Sequence, residues 1–119
     1  NDPSALPAPD IDNRGSVDTW PVIRLVPRDG EARDPTLTVV HHGTRKRFAC
    51  RGLRIGRGDE LVIDMGRRRI TLNGASRFGQ VDPTSQWLAL PPGPSTVQLD
   101  VLEGPVGLSA EVLWRSAWL

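Results

Sequence analysis

The chain has 119 residues, a net charge of +1 and a single cysteine, Cys50. This length fits one hydrophobic core, and one cysteine excludes both an internal disulfide and a four-cysteine zinc site. No apolar run approaches the roughly 18 residues of a membrane-spanning helix, so we expect a soluble domain with no membrane partner.

The first twelve residues are rich in proline and aspartate. Pro3, Pro7 and Pro9 lack the backbone N–H that a strand ladder uses, and the segment has little apolar surface to bury. We therefore expect residues 1–12 to form a linker or an extended arm, and residues 13–119 to form one domain. The chain opens at Asn1 without a methionine or a signal-peptide pattern, which indicates a fragment or a processed chain.

Short stretches rich in β-branched and apolar residues recur between turn residues along the rest of the chain. They predict strands at 20–26, 36–40, 45–50, 53–55, 59–64, 69–72, 96–102 and 108–114, with a charged turn at 27–35 and an apolar stretch at 87–90 before a proline-rich corner. No window of about 11 residues has a helical period free of proline and glycine. The predicted class is all-β, as a sandwich or a small barrel.

The clearest turn signal is Asn73-Gly74. Both residues accept positive φ at low cost, as the central positions of a type I′ turn require, so we predict a hairpin tip there. The core is expected to consist of apolar residues on the inward faces of the strands: Ile23, Leu25, Val39, Leu61, Ile63, Leu72, Val97, Leu99, Val101, Val112 and Trp114.

Four stretches, in this order, resemble the siphovirus-type tail component family, whose members include phage distal tail proteins. They are 13–24 (NRGSVDTWPVIR), 58–64 (GDELVID) followed by 70–74 (ITLNG), 85–93 (SQWLALPPG) and 114–119 (WRSAWL). Together they run from residue 13 to residue 119. The charged stretch 28–34 is insertion-like and departs from the family's first loop.

The resemblance implies an antiparallel β-sandwich that is galectin-like or carbohydrate-module-like. In the family this domain follows an N-terminal domain that forms a hexameric ring at the end of the tail tube, and that domain is absent from this chain. The implied function is that of the C-terminal domain of a distal tail or minor tail protein, a structural part of the virion at the tail tip. The implied partners are other tail proteins, namely the tail tube and the tail-tip hub, and a homo-hexamer is expected of the full-length protein.

The four tryptophans suggest an alternative function, a carbohydrate-binding module for host cell-wall glycans. Aromatic rings stack on sugars, but they also fill cores because each buries a large area. Trp87 and Trp114 lie in apolar patterns and are expected in the core, whereas Trp20 and Trp118 are candidate binding residues. The absence of tyrosine counts against a glycan site, since tyrosine often orients hydroxyl-rich ligands.

Two basic runs suggest a second alternative, a nucleic-acid-binding β-barrel. The runs consist of Arg45, Lys46 and Arg47 and of Arg67, Arg68 and Arg69. Nucleic-acid surfaces combine positive charge with stacking aromatics, and Phe48 is the one aromatic residue between the runs. We therefore do not expect nucleic acid as a partner, and interpret the six residues as solvated loop residues or as candidate interface residues that pair with a neighbouring tail subunit.

No residue pattern predicts a catalytic site, a metal site or a cofactor. His41 and His42 end a strand, where neighbouring side chains point to opposite faces, so the two rings are not expected to chelate one ion. The acids within 59–64 are divided between two faces for the same reason. Cys50 is expected to be a buried small hydrophobe. No nucleophile motif, Walker motif or dinucleotide-binding motif occurs, so we expect no enzyme.

Overall fold

The computed structural model describes residues 10–101, 108–115 and 118. Within these residues the chain forms eleven strands and one three-residue 3₁₀ helix. The strands are β1 (Asp10–Asn13), β2 (Val22–Pro27), β3 (Ala32–Arg33), β4 (Thr36–His41), β5 (Thr44–Ala49), β6 (Arg54–Ile55), β7 (Leu61–Asp64), β8 (Arg69–Leu72), β9 (Ala75–Ser76), β10 (Gly93–Asp100) and β11 (Leu108–Leu113), and the 3₁₀ helix spans Phe78–Gln80. None of the described residues belongs to a helix long and apolar enough to cross a membrane.

The strands pair in two main antiparallel sheets and one short ribbon. The four-stranded sheet has the order β1-β10-β4-β5, the five-stranded sheet has the order β11-β2-β7-β8-β9, and β3 pairs with β6. Hairpins join β4 to β5, β7 to β8 and β8 to β9, whereas the β1–β10 and β2–β11 pairs bring distant parts of the chain together. As a result, β1 and β5 are the edges of the four-stranded sheet.

Both main sheets turn apolar side chains toward one shared core. In β2, Ile23 and Leu25 are buried, while Arg24 between them faces outward, and β10 alternates in the same way. Fully burying one such side chain contributes about 1.5–3 kcal/mol, so this cluster is the main source of stability. Its largest apolar members come from both sheets and from the loops: Leu25, Leu37, Phe48, Leu53, Ile55, Leu61, Ile63, Met65, Ile70, Leu88 and Leu90.

The eight predicted strands are confirmed, with ends shifted by at most three residues. The prediction at 69–72 coincides with β8, and that at 36–40 falls one residue short of β4. The apolar stretch 87–90 is not a strand, and only Leu90 pairs, exchanging hydrogen bonds of 3.0 and 2.7 Å with the backbone of Thr19. Residue 102, the predicted end of one strand, lies outside the described residues.

Three strands were not predicted: β1, β3 and the two-residue β9. β1 crosses the expected boundary between arm and domain: residues 10–13 pair with β10, and Ile11 is buried. The three prolines of the arm all precede residue 10, so they do not interrupt this ladder, and residues 1–9 lie outside the described residues. The charged stretch 27–35 contains β3, because Ala32 is fully buried and pairs with Ile55.

The predicted core is confirmed except at the last strand. Val112 is half-buried, and Trp114 is 36% exposed, in contrast to its expected core position. The reason is that β11 is an edge strand, whose inward residues Leu108, Ala110 and Val112 are only partly covered, and β11 ends at Leu113. Trp114 thus lies one residue beyond the sheet.

Candidate interaction surfaces

The turn before β7 and the turn after β8 are tied together by side-chain hydrogen bonds. Asn73 and Gly74 have φ of +51° and +85°, as the predicted type I′ turn requires. The amide of Asn73 donates to Asp59 Oδ1 at 3.0 Å, and Asn73 Oδ1 accepts from the Glu60 N–H at 2.9 Å. The other oxygen of Asp59 accepts from the Gly56 N–H at 2.8 Å. The polar residues of the stretches 58–64 and 70–74 therefore stabilise the fold.

Asn13 anchors the first strand to the core. Its side chain is buried, and its amide donates to the carbonyls of Val17 and Leu90 at 2.8 and 2.9 Å, while its oxygen accepts from the Gly15 N–H at 2.9 Å. This role was not predicted from the sequence. The available signal was an asparagine two residues before a glycine, which is typical of a local side-chain turn.

A network of charged residues crosses the outer face of the five-stranded sheet. Arg24 Nη1 lies 2.8 Å from Glu111 Oε1, and Arg24 Nε lies 3.0 Å from Glu60 Oε2. The hydrogen bond to Glu60, and then the charges of Glu60 and Glu111, raise the pKa of Arg24. These three side chains are partly exposed, and their contacts link β11, β2 and the residue before β7.

A turn at residues 82–86 covers the C-terminal half of β5. Asp82 Oδ1 accepts hydrogen bonds of 2.8 Å from both the N–H and the hydroxyl of Thr84, and Arg51 lies 2.9 Å from Oδ2. The bonds from Thr84, followed by the charge of Arg51, lower the pKa of Asp82. The Ser85 hydroxyl meets both the N–H and the carbonyl of Ala49, at 2.8 and 2.9 Å. The C-terminal end of β5 is therefore covered by the turn at residues 82–86.

The N-terminal half of β5 is open and basic. Arg45, Lys46 and Arg47 are all exposed, whereas Phe48 and Ala49 after them are buried. The first half of the strand thus extends beyond the core. In the second basic run, Arg67 and Arg68 lie in the turn between β7 and β8, where Arg68 has φ of +53°, and Arg69 begins β8. The two runs belong to different sheets, so they do not form one basic surface along neighbouring strands.

A shallow groove of about 130 Å³ lies beside the open half of β5. It is smaller than an ordinary small-molecule site, which is typically about 300–1,000 Å³. Its lining combines β4, β5 and the segment before β10: Val39, His41, Thr44, Lys46, Ala89 and Pro91. His41 Nδ1 is already engaged, at 2.9 Å from the Pro94 carbonyl and 3.0 Å from Ser95 Oγ.

The two histidines lie close together, in contrast to the expected opposite faces. Their ring centroids are 4.2 Å apart. The alternation breaks because His42 leaves the strand with φ of +48° and enters the turn. Among the described residues, no three histidine, cysteine or acidic side chains are grouped as metal ligands.

Two of the tryptophans are strongly exposed, and they are the candidate binding residues. Trp20 is 45% exposed and Trp118 is 68% exposed. Trp20 packs beside Gly66, where a Cβ would approach the Trp20 Cβ to 3.2 Å. Glycine at this position therefore lets the tryptophan lie against the turn that follows β7.

An aromatic stack that the sequence analysis missed runs from the core to the surface. The rings of Phe48 and Trp87 are 4.8 Å apart, and those of Trp87 and Phe78 are 6.0 Å apart with an angle of 23° between their planes. Phe48 is fully buried and Phe78 is 56% exposed. Trp87 is thus partly in the core, as expected, and also supports an exposed ring. No sequence pattern indicated this contact, because the three residues are brought together by tertiary packing.

Cys50 is buried beside the end of β5, as predicted. Burial, followed by the nearby charge of Asp34, raises the pKa of the Cys50 thiol to about 12. A thiol in this state is not a nucleophile at neutral pH.

Residues 14–118 match the family model described as siphovirus-type tail component, C-terminal domain. The chain belongs to this family. It is a Dit-like domain of a phage distal tail component. The hydrogen bond between Asp59 and Asn73 and those of the buried Asn13 side chain thus stabilise the fold of a tail component domain.

A solved structure has a similar fold to that of this tail component domain. It is the crystal structure of the SPP1 Dit (gp 19.1) protein, described as a paradigm of the hub adsorption apparatus in phages that infect Gram-positive hosts. The two share 17% sequence identity with a TM-score of 0.60, and the match covers 87% of this chain and 43% of the SPP1 protein. The chain therefore spans less than half of that protein's length. No curated protein matches the sequence.

Proposed function

We propose that this tail component domain is a peripheral scaffold and interaction module of the tail tip. In this proposal it follows an N-terminal ring-forming domain, adopts a galectin-like β-sandwich, and contacts the tail tube and the tail-tip hub as part of a homo-hexamer. The family match over residues 14–118 is the observation that carries the proposal. The 43% coverage of the SPP1 Dit protein agrees with a domain of a longer protein.

The geometry supports a scaffold because the conspicuous polar residues are used internally. Asp59, Asn73, Asn13 and Asp82 all hold turns or strands in place. Contacts with other tail proteins are thereby left to exposed residues, among them the basic half of β5 and the run of Arg67, Arg68 and Arg69. Each such contact is weak, and repetition around a tail axis would multiply its effect.

Gold labelling of an epitope tag on this chain in purified phage particles tests the proposal. We expect label at the tail tip and nowhere else on the particle. The matched control is the same tag on a capsid protein, which should label the head alone. A tagged chain that is expressed but does not enter particles would overturn the proposal.

A second function, binding of host cell-wall glycans, is supported by the aromatic stack. Phe78 presents an exposed ring that Trp87 holds from behind, and aromatic platforms of this kind stack on sugar rings. Calorimetric titration with purified cell-wall polysaccharide tests this function. Saturable binding lost in Phe78→Ala, Trp20→Ala or Trp118→Ala would support it and would identify the face. If the folded wild-type chain gives no heat of binding with the polysaccharide, the glycan-binding function is ruled out.

A further inference from the structure

The hairpin tip between β8 and β9 contains a chemically labile pair of residues. Asn73 is followed by Gly74, whereas the other two asparagines of the sequence precede Asp2 and Arg14. In an asparagine-glycine pair the backbone nitrogen of the glycine attacks the side-chain amide carbon of the asparagine, since glycine has no Cβ to obstruct the approach. Both residues of the pair are exposed, so water reaches them.

The backbone nitrogen of Gly74 is free to act as the nucleophile of this reaction. Among the residues that the structure describes, none accepts a hydrogen bond from the Gly74 N–H. A Cβ at this position would meet no atom within 4 Å, so the space beside the glycine is open. The nitrogen therefore has neither a hydrogen-bond partner nor a steric barrier.

The side-chain amide of Asn73, in contrast, is held at both its nitrogen and its oxygen. Nδ2 donates to Asp59 Oδ1 at 3.0 Å, and Oδ1 accepts from the Glu60 N–H at 2.9 Å. The backbone N–H of Asn73 also donates to the Glu60 carbonyl at 2.9 Å. Attack by Gly74 makes the planar amide carbon tetrahedral, which displaces the oxygen and the nitrogen from these partners. The bonds to Asp59 and Glu60 therefore oppose the reaction in the folded domain.

We propose that Asn73 is a site of spontaneous deamidation, at which the hydrogen bonds to Asp59 and Glu60 limit the rate. The Gly74 nitrogen forms a bond to Asn73 Cγ, the Cγ–Nδ2 bond breaks, and water carries the N–H proton of Gly74 to Nδ2, which leaves as ammonia. A water molecule then opens the five-membered imide ring at one of its two carbonyls. The product is aspartate, or isoaspartate when the chain continues through the former side chain.

Either product changes the contact with Asp59 from attraction to repulsion. A carboxylate has no N–H to donate, and it places a second negative charge where the amide nitrogen of Asn73 now lies 3.0 Å from Asp59 Oδ1. Like charges this close repel, even at an exposed site. Isoaspartate also adds a methylene group to the backbone, which a two-residue type I′ tip does not accommodate. Deamidation therefore loosens the hairpin tip from the turn before β7.

Peptide mapping by mass spectrometry tests the inference, using the 119-residue chain incubated in mildly alkaline buffer. Trypsin releases residues 70–77, in which conversion of the Asn73 amide to a carboxyl group changes the mass. Asp59→Ala removes the acceptor of this amide, and Asp59→Asn, which keeps one acceptor oxygen, is the milder variant. Asn13→Ala is the matched control, because it removes hydrogen bonds of a buried side chain without touching Asn73. Circular dichroism verifies the fold of each variant.

We expect the native wild-type chain to deamidate at Asn73 about tenfold or more slowly than the chain unfolded in guanidinium chloride, because the hydrogen bonds must open first. Asp59→Ala should raise the native rate about threefold to tenfold and leave the rate in the unfolded chain unchanged. Asn13→Ala should react as the wild type does in both states. Asn73→Asp, which reproduces the direct product, should unfold at a lower urea concentration than the wild type.

Four results would overturn the inference. A native wild-type chain that deamidates as fast as the unfolded chain would show that the bonds give no protection. A native rate in Asp59→Ala at or below that of the wild type would show that the carboxylate does not restrain the amide. An equal rise in Asn13→Ala would assign the rate to overall stability, and an Asn73→Asp chain as stable as the wild type would remove the effect on the fold.

Discussion

The side chains of Asn73 and Asp59 meet at 3.0 Å, and this bond links the hairpin tip after β8 to the turn before β7. Asn73 holds a left-handed backbone at the same time, with φ of +51°. One residue thus fixes the register of a hairpin and fastens it to its neighbour. The family-like stretches 58–64 and 70–74 are therefore one structural unit rather than two separate motifs.

Replacing Asn73 should destabilise the domain through both roles. Asn73→Ala removes the bonds to Asp59 and Glu60 and places alanine at positive φ, and we expect a loss of about 1–2 kcal/mol in the free energy of unfolding. Asn73→Gly keeps the backbone freedom and should lose less. Urea denaturation measures both. A loss below about 0.5 kcal/mol for Asn73→Ala would show that the bond contributes nothing.

Asn13 should matter more than its position near the start of the domain suggests. Asn13→Ala removes the bonds to the carbonyls of Val17 and Leu90 and from the Gly15 N–H, although Leu90 keeps the bond from Thr19, and we expect a loss of about 1–3 kcal/mol. Asp18→Asn, at an exposed position nearby, is the control and should change stability by less than about 0.5 kcal/mol. Equal effects of the two substitutions in thermal denaturation would contradict the anchor.

The thiol of Cys50 should be unreactive in the folded chain. Because burial raises its pKa to about 12, we expect no reaction with a thiol-specific disulfide reagent at pH 8 on the time scale of mixing. One thiol per chain should react after denaturation. Full labelling of the native protein at the rate of free cysteine would place Cys50 at the surface.

Asp82 should give the domain part of its sensitivity to acid. Its pKa is lower in the folded chain than in the unfolded chain, so its contribution is present above the ordinary carboxyl pKa of about 4 and is lost as the pH falls through the folded value. Asp82→Asn should therefore flatten the decline of stability below about pH 4. Asp29→Asn is an exposed control. Parallel stability curves for Asp82→Asn and the wild type across this range would refute the assignment.

Trp114 and Phe48 should differ sharply in their contribution to stability. Phe48 is fully buried, and Phe48→Ala should cost about 3–5 kcal/mol. Trp114 is 36% exposed beyond the end of β11, so Trp114→Ala should cost far less. Denaturant midpoints of the two variants provide the comparison. Similar losses of stability would show that Trp114 is buried in the core as Phe48 is.

The sequence was sufficient for the parts of the fold that depend on local pattern. Alternation located β10, and the Asn73-Gly74 pair located a hairpin tip, because both follow from backbone geometry alone. Burial at the sheet edge was not predictable in this way. Trp114 continues a period-two pattern, but whether its face is covered depends on which strand lies opposite.

The candidate surface was predicted only in part. The basic residues Arg45 to Arg47 were identified from composition, but their place on an open sheet edge required the strand order. The stack of Phe78 on Trp87 joins residues that no local pattern relates. The position of His42 beside His41 was not predicted, because a turn residue with positive φ does not follow the strand period.

A reconstruction of the intact tail by electron cryomicroscopy would show where this domain lies in the particle. We expect density for this β-domain at the tail tip, outside a central ring. Purified tails that lack the chain, or density for it elsewhere in the particle, would contradict the account.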